Sequence, residues 1–138
     1  MSEIITDNLT GKTSAGDVTI TSEGGSATMQ LQQGVAKAWV NFNGTGTIAE
    51  RDSLGVSGLV DNGTGNYSVN YTNAMSNAEY SISGISTWNT SGTSGSIFAA
   101  STGTFSTTSQ QIVVYQSNSL FALLDSHTVC LNVFGDLA

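Results

Sequence analysis

Short segments in which apolar and small polar residues alternate, separated by turns of Gly and Asn, run along most of this chain. In Asn66–Tyr71 the two tyrosines and Val69 fall on one side of an extended strand, and the small polar residues fall on the other. The pattern recurs in two further sets: Ala38, Val40 and Phe42, and Val129, Leu131 and Val133. A strand with one buried face and one solvent-exposed face is typical of an antiparallel sheet.

Turns in this chain must rely on Gly and Asn, because proline is absent and Gly occurs 16 times. Asp61–Gly65 is therefore predicted to be a hairpin turn. No window of a dozen residues combines helix formers with apolar spacing of three and four, and Gln30–Ala36 is interpreted as a connector. We predict an all-β fold, an antiparallel β-sandwich of jelly-roll-like type, without the crossover helices of a parallel sheet.

The predicted organisation is an N-terminal collar or attachment segment, residues 1–36, followed by a knob domain, residues 37–138. Ser2–Gly16 is polar with isolated apolar residues and is expected to need a partner for order. Asp17–Thr21 and Ala27–Leu31 are expected to form a hairpin. The first residues lack a basic and an apolar region, so no signal-directed export and no membrane insertion is expected.

The charge of the chain excludes several classes of partner. Only 9% of residues are charged, and three Lys and Arg stand against ten Asp and Glu, for a formal net charge of −7. Nucleic-acid binding is not expected, since it depends on cations that displace counterions. The single cysteine, Cys130, cannot form an internal disulfide.

One stretch of the sequence indicates a particular protein family, which the overall composition does not do. It is made of these segments: Lys37–Ala49, Arg51–Ser53, Val56–Ser57, Asp61–Tyr67, Val69–Met75, Tyr80 and Val133–Asp136. Together they resemble a pattern found in the terminal knob domains of phage tail fibres and in related phage virion structural proteins. The resemblance covers about Lys37 to Asp136, and its first half is the more specific.

The resemblance implies a homotrimeric, β-rich virion protein located in the phage tail. Its N-terminal segment would bind other virion proteins, and its distal loops would contact a glycan or protein of the host surface. Two alternatives stay open. The chain is short for a fibre, which allows a capsid decoration or cement protein on the capsid surface, and a host polysaccharide depolymerase represents a different class.

Candidate chemistry is sparse in this sequence. Glu50 and Asp52 lie two apart and are expected to share a face of an extended segment, as paired carboxylates of a hydrolase do. Solvated ion pairing with Arg51 is the favoured interpretation. His127 and Cys130 are expected on opposite faces of a strand, so a zinc site would require His127 from three copies on a threefold axis. We expect no enzyme activity, no catalytic residue and no cofactor.

Two tryptophans are candidates for contact with other molecules. Trp39 is expected in the core or in a subunit interface, together with Arg51 and His127 as interface residues. Trp88 lies beside a Ser/Thr/Gly-rich stretch and can stack on a sugar ring. The predicted receptor contacts are Trp88, Asn89, Thr90 and Ser91, within two loops, Asn89–Gly95 and Ser101–Ser109.

Overall fold

The computed structural model describes residues 3–14, 18–87, 96–116 and 122–138, with side chains outside 96–104. The chain divides into two compact units, Met1–Val35 and Ala36–Ala138. The boundary differs by one residue from the division expected from the sequence. In the described ranges, no helix has the length and apolar character required to span a membrane.

The first unit contains a small antiparallel hairpin and one helical turn. Strands β1 (Thr19–Thr21) and β2 (Thr28–Gln30) pair with Ile20 opposite Met29, as the sequence predicted. Helix α1 (Leu31–Gly34) follows directly, which corrects the interpretation of this segment as a plain connector. Every residue of both strands is exposed. Three-residue strands in a two-stranded sheet bury too little to be stable alone, and none of residues 3–14 and 18–35 is buried.

The second unit is an antiparallel β-sandwich, which confirms the predicted fold class. Its strands are β3 (Ala38–Asn43), β4 (Ala49–Leu54), β5 (Val56–Asp61), β6 (Asn66–Tyr71), β7 (Ser81–Thr87), β8 (Ser96–Phe105), β9 (Ser109–Gln116) and β10 (Thr128–Phe134). One sheet has the order β4-β3-β10-β7 and the other the order β5-β6-β9-β8. Three pairs of consecutive strands, β3–β4, β5–β6 and β8–β9, are hairpins within a sheet, and the other consecutive strands belong to different sheets.

The core lies between these two sheets and is formed by the alternating residues that the sequence indicated. The buried apolar residues of the central strands are Ala38, Val40, Phe42, Tyr67, Val69, Tyr71, Ile112, Val114, Val129, Leu131 and Val133. Phe42 and Tyr67, from opposite sheets, meet edge to face with ring centroids 5.2 Å apart. Edge-to-face aromatic pairs add about 0.5–1.5 kcal/mol beyond the area they bury.

A single glycine carries the chain from one sheet to the other. Gly55 is the only residue between β4 and β5, and it has φ +67°. A Cβ at this position would lie 2.5 Å from the carbonyl oxygen of Lys37. Both the positive φ and the missing side chain are therefore required for this connection.

The strands of both sheets run between two ends of the sandwich, which we name the loop end and the base. The loop end comprises residues 44–48, 62–65 and 122–127, and the base comprises Gly55 and residues 72–80, 106–108 and 135–138. Ala36 and Lys37 precede β3 at the base, where the Lys37 N–H donates to the carbonyl of Val133 over 2.8 Å.

Strand β8 is longer than the sequence indicated. Ser101–Ser109 was expected to be a loop, but β8 continues to Phe105 and pairs with β9 at Gln110, which leaves only 106–108 as a turn. That turn lies at the base. The prediction was wrong because Ser, Thr and Gly in this stretch resemble a loop in composition, whereas Thr is also favoured in strands.

Candidate functional site

Arg51 occupies a β-bulge on β4. In the pairing of β4 with β3, Asp52 lies opposite Asn41 and Glu50 lies opposite Phe42, so Arg51 is an extra residue. A bulge disrupts the ladder locally and redirects a side chain. Here the guanidinium of Arg51 crosses β3 and reaches the start of β10 on the outer face of the sheet.

The Arg51 guanidinium joins three strands by hydrogen bonds. Nη1 donates toward the side-chain oxygen of Asn41 (3.1 Å), the carbonyl of Phe42 (3.0 Å) and the hydroxyl of Thr128 (3.3 Å). Nη2 donates to the carbonyl of His127 and lies 3.4 Å from His127 Nδ1. None of these partners is a carboxylate. Two of the residues predicted for the interface are thus in contact within one chain, where they link β4 and β3 to β10.

Trp39, the third predicted interface residue, lies on the same outer face. It is half-buried and pairs with Leu54 on β4, which is 54% exposed. Buried Ala38 and Val40 on either side of it face the core, so Trp39 faces outward. The structure excludes the core alternative for Trp39 and leaves its place in an interface as a prediction.

The expected pairing of two carboxylates on one face was wrong. Asp52 shares the outer face with its partner Asn41, while Glu50 shares the inner side with buried Phe42. Glu50 Oε1 accepts a hydrogen bond from the Ser53 hydroxyl over 2.8 Å, on that same side. The extra residue of the bulge changes the alternation, and the two carboxyl groups therefore do not form a paired acid and base.

The relation of His127 to Cys130 also differs from the expectation. His127 is exposed and precedes β10, so the alternation of the strand does not apply to it. Cys130 lies on the outer face, where burial raises the pKa of its thiol and the nearby charge of Arg51 lowers it in part. Among the described residues, no group of three His, Cys, Asp or Glu side chains is arranged to hold a metal ion.

A partly buried polar cluster, formed by Gly44, Gly65, Tyr67 and Asp125, was not indicated by the sequence, and we name it the loop-end cluster. Asp125 Oδ1 accepts the N–H of Gly65 over 2.7 Å and lies 3.1 Å from the hydroxyl of Tyr67. The Tyr67 hydroxyl is also 2.9 Å from the carbonyl of Gly44. Burial, and then the charge of Asp125, raise the pKa of Tyr67 above its ordinary value.

This loop-end cluster fixes three connections relative to one another. Gly65 has φ +61°, and a Cβ there would lie 2.5 Å from the backbone nitrogen of Leu124. The Gly44 N–H donates to the carbonyl of Ser126 over 2.9 Å. The sequence did indicate that Tyr67 needs a polar partner, because a tyrosine at an inward strand position requires a hydrogen bond once it is buried. Its partner is remote in sequence and could not be identified from spacing.

The predicted receptor contacts Trp88, Asn89, Thr90 and Ser91 lie outside the described residues. The residues that flank this segment are described: Thr87 pairs with Thr128 at the start of β10, and Ser96 pairs with Gln116 at the end of β9. Both flanking pairs lie at the loop end. No family model, curated protein or solved structure matches this chain.

Proposed function

We propose that this chain is a non-enzymatic structural protein of a phage virion, a homotrimer at the tip of a tail fibre that takes part in attachment to the host. The residues that resemble tail-fibre knobs, from Lys37 to Asp136, cover nearly the whole sandwich. The proposed location is therefore the virion, at the phage tail.

The observation that carries this proposal is the opposite placement of the chain's entry and the loops. The backbone reaches β3 at the base, whereas 44–48, 62–65 and 122–127 lie at the loop end. Thr87 and Ser96, the described residues that flank the stretch with the predicted receptor contacts Trp88 to Ser91, both lie at the loop end. A module with attachment at one end and recognition at the other has this arrangement, and loops held by a rigid scaffold are the usual place for recognition.

The first unit supports attachment to another protein of the virion. Six large apolar side chains in the described part of this unit are exposed: Ile4, Ile5, Leu9, Ile20, Met29 and Val35. Ile4 and Ile5 are 84% and 87% exposed. Apolar groups of this size gain about 1.5–3 kcal/mol each on burial, so a partner that covers them would stabilise the unit.

Localisation on particles tests this proposal. A gold-labelled antibody against the chain should mark the tail of intact particles of the encoding phage. Label on the head would instead identify a capsid decoration protein, and absence of label would overturn a virion role. Release of new reducing ends from host polysaccharide by the purified chain would identify a depolymerase.

Cell binding tests the recognition surface separately. Trp88→Ala and Asn89→Ala should each reduce binding of the purified chain to host cells by at least about fivefold, as expected for contact residues worth more than about 1 kcal/mol each. Asn77→Ala is the matched control, because Asn77 is exposed at the base. Equal binding by the Trp88, Asn89 and Asn77 variants would contradict recognition through this segment.

A further inference from the structure

One long part of the sequence contains no charge at all. From Tyr80 to Leu124 there is no Asp, Glu, Lys, Arg or His, so all ten acidic residues lie elsewhere. Average composition, with about a quarter of residues charged, would place about eleven charges in a segment of this length. Strands β7, β8 and β9 are formed entirely by this segment.

The fold gathers these uncharged strands on one side of the sandwich. β7 is the last strand of one sheet and β8 the last strand of the other, and the two lie next to each other. We name this the β7–β8 side. The β4–β5 side is formed by the opposite edges of the same sheets and carries Glu50, Arg51, Asp52 and Asp61.

The edge strands also differ in regularity. Register shifts interrupt β4 at Arg51, β5 between Val56 and Gly58, and β8 between Ala100 and Phe105. β7 pairs with β10 over seven successive residues without a shift. Natural proteins protect exposed edges with bulges, charges and proline, and a regular, uncharged edge favours association with another chain. β7 has none of these protections.

We infer that the β7–β8 side is the surface through which copies of this chain meet. The inference rests on the proposed homotrimer and names its interface. A net charge of −7 opposes self-association, and contact through the β4–β5 side would bring Glu50, Asp52 and Asp61 toward a second acidic chain. On the β7–β8 side an equally acidic copy can approach without such repulsion. Ile85, 63% exposed on the outer face of β7, is covered by this contact.

This surface differs from the interface that the sequence indicated. Trp39, Arg51 and His127 lie on the β4, β3 and β10 part of the outer face, and Arg51 and His127 bind each other within the chain. Ile85 and Leu54 are exposed aliphatic residues on the outer face at opposite edges of the same sheet. Substitutions at these two matched positions therefore distinguish an interface on the β7–β8 side from one on the β4–β5 side.

The test compares Ile85→Glu with Leu54→Glu in the full chain by sedimentation equilibrium. Each variant adds one negative charge at an exposed position. Ile85→Glu should weaken self-association by at least about tenfold, and added salt should restore part of it by screening. Leu54→Glu should associate as the wild type does. Ser83→Glu, an exposed outer-face position on the same strand, should repeat the effect without loss of an apolar group.

The possible results distinguish failure of the proposed interface from failure of the proposed trimer. A wild-type trimer that is weakened by Leu54→Glu and not by Ile85→Glu overturns this interface and leaves the proposed virion role intact. A wild-type monomer at all concentrations overturns both the interface and the trimer. Hydrogen exchange of the β7 amides gives a measurement without substitution: exchange should slow as protein concentration rises, and unchanged exchange in an assembled trimer overturns the inference.

Discussion

Replacement of Tyr67 by Phe isolates the contribution of the Tyr67 hydroxyl, a member of the loop-end cluster, to stability. The substitution removes one hydroxyl and keeps the ring, which packs edge to face on Phe42 at 5.2 Å. The hydroxyl lies within hydrogen-bond distance of the Gly44 carbonyl and of Asp125 Oδ1. Without it, a buried carbonyl loses its partner, and Asp125 keeps the N–H of Gly65.

The expected loss in free energy of unfolding is about 1–3 kcal/mol, the cost of a buried polar group left without its hydrogen bond. No cavity term applies beyond the volume of one oxygen atom. In a domain of about this size, a loss of 1 kcal/mol lowers Tm by about 4 °C or more. The Tm of Tyr67→Phe should therefore fall by at least about 4 °C.

Urea unfolding followed by tryptophan fluorescence measures this loss. All variants are compared at one protein concentration, because assembly shifts apparent stability. Tyr115→Phe is the matched control. Tyr115 is half-buried in β9, next to the core residue Val114, and is not one of the residues of the loop-end cluster. Its effect should stay within about 0.5 kcal/mol. If Tyr67→Phe unfolds within the same range as Tyr115→Phe, the hydroxyl does not stabilise the loop end.

Two further predictions concern Arg51 and the buried tyrosines. Arg51→Ala should lower the free energy of unfolding by about 1–2 kcal/mol, because it removes hydrogen bonds that join β4 and β3 to β10, whereas Asp52→Ala should change it by less than about 0.5 kcal/mol in the same urea assay. Equal effects of the two variants would contradict a linking role of Arg51. At alkaline pH, burial raises the pKa of Tyr67 and of Tyr71 above the ordinary value of 10.0, so the unfolded chain releases these protons before the folded chain does. The stability present below pH 10.0 should then be lost above it at about 1.4 kcal/mol per pH unit for each tyrosine, and urea midpoints measured on both sides of that pH should show a smaller slope for Tyr67→Phe.

The sandwich was predictable where alternation of apolar and polar residues was strict. Val129, Leu131 and Val133 are buried as the pattern required, and so are the inward residues of β3 and β6. A period of two determines which face of a strand enters the core without knowledge of its neighbours. Strand β8 shows the limit, because small residues without clear alternation do not distinguish a strand from a loop.

The candidate sites were less predictable because they depend on long-range register. The bulge at Arg51 exists only in the pairing of β4 with β3, and no local pattern in the charged segment reveals it. Contact between Arg51 and His127 joins residues 76 positions apart. The cluster of Tyr67 with Asp125 spans 58 positions. Charge and aromatic content identified Arg51, His127 and Trp39 as notable residues, but their partners required the fold.

The two proposals together restrict the symmetry of the assembly. The β7 edge runs from Ser81 at the base to Thr87 at the loop end, a contact length of about 23 Å at about 3.3 Å per residue. A twofold axis perpendicular to the strands would place the loop ends of two copies at opposite ends of the assembly. A threefold axis parallel to the strands brings all three loop ends together and all three bases together. Of these two arrangements, only the second lets copies that meet along the β7–β8 side present their loops jointly to a host surface. For the proposed trimer, recognition at the loop end therefore predicts that β7 lies alongside the threefold axis.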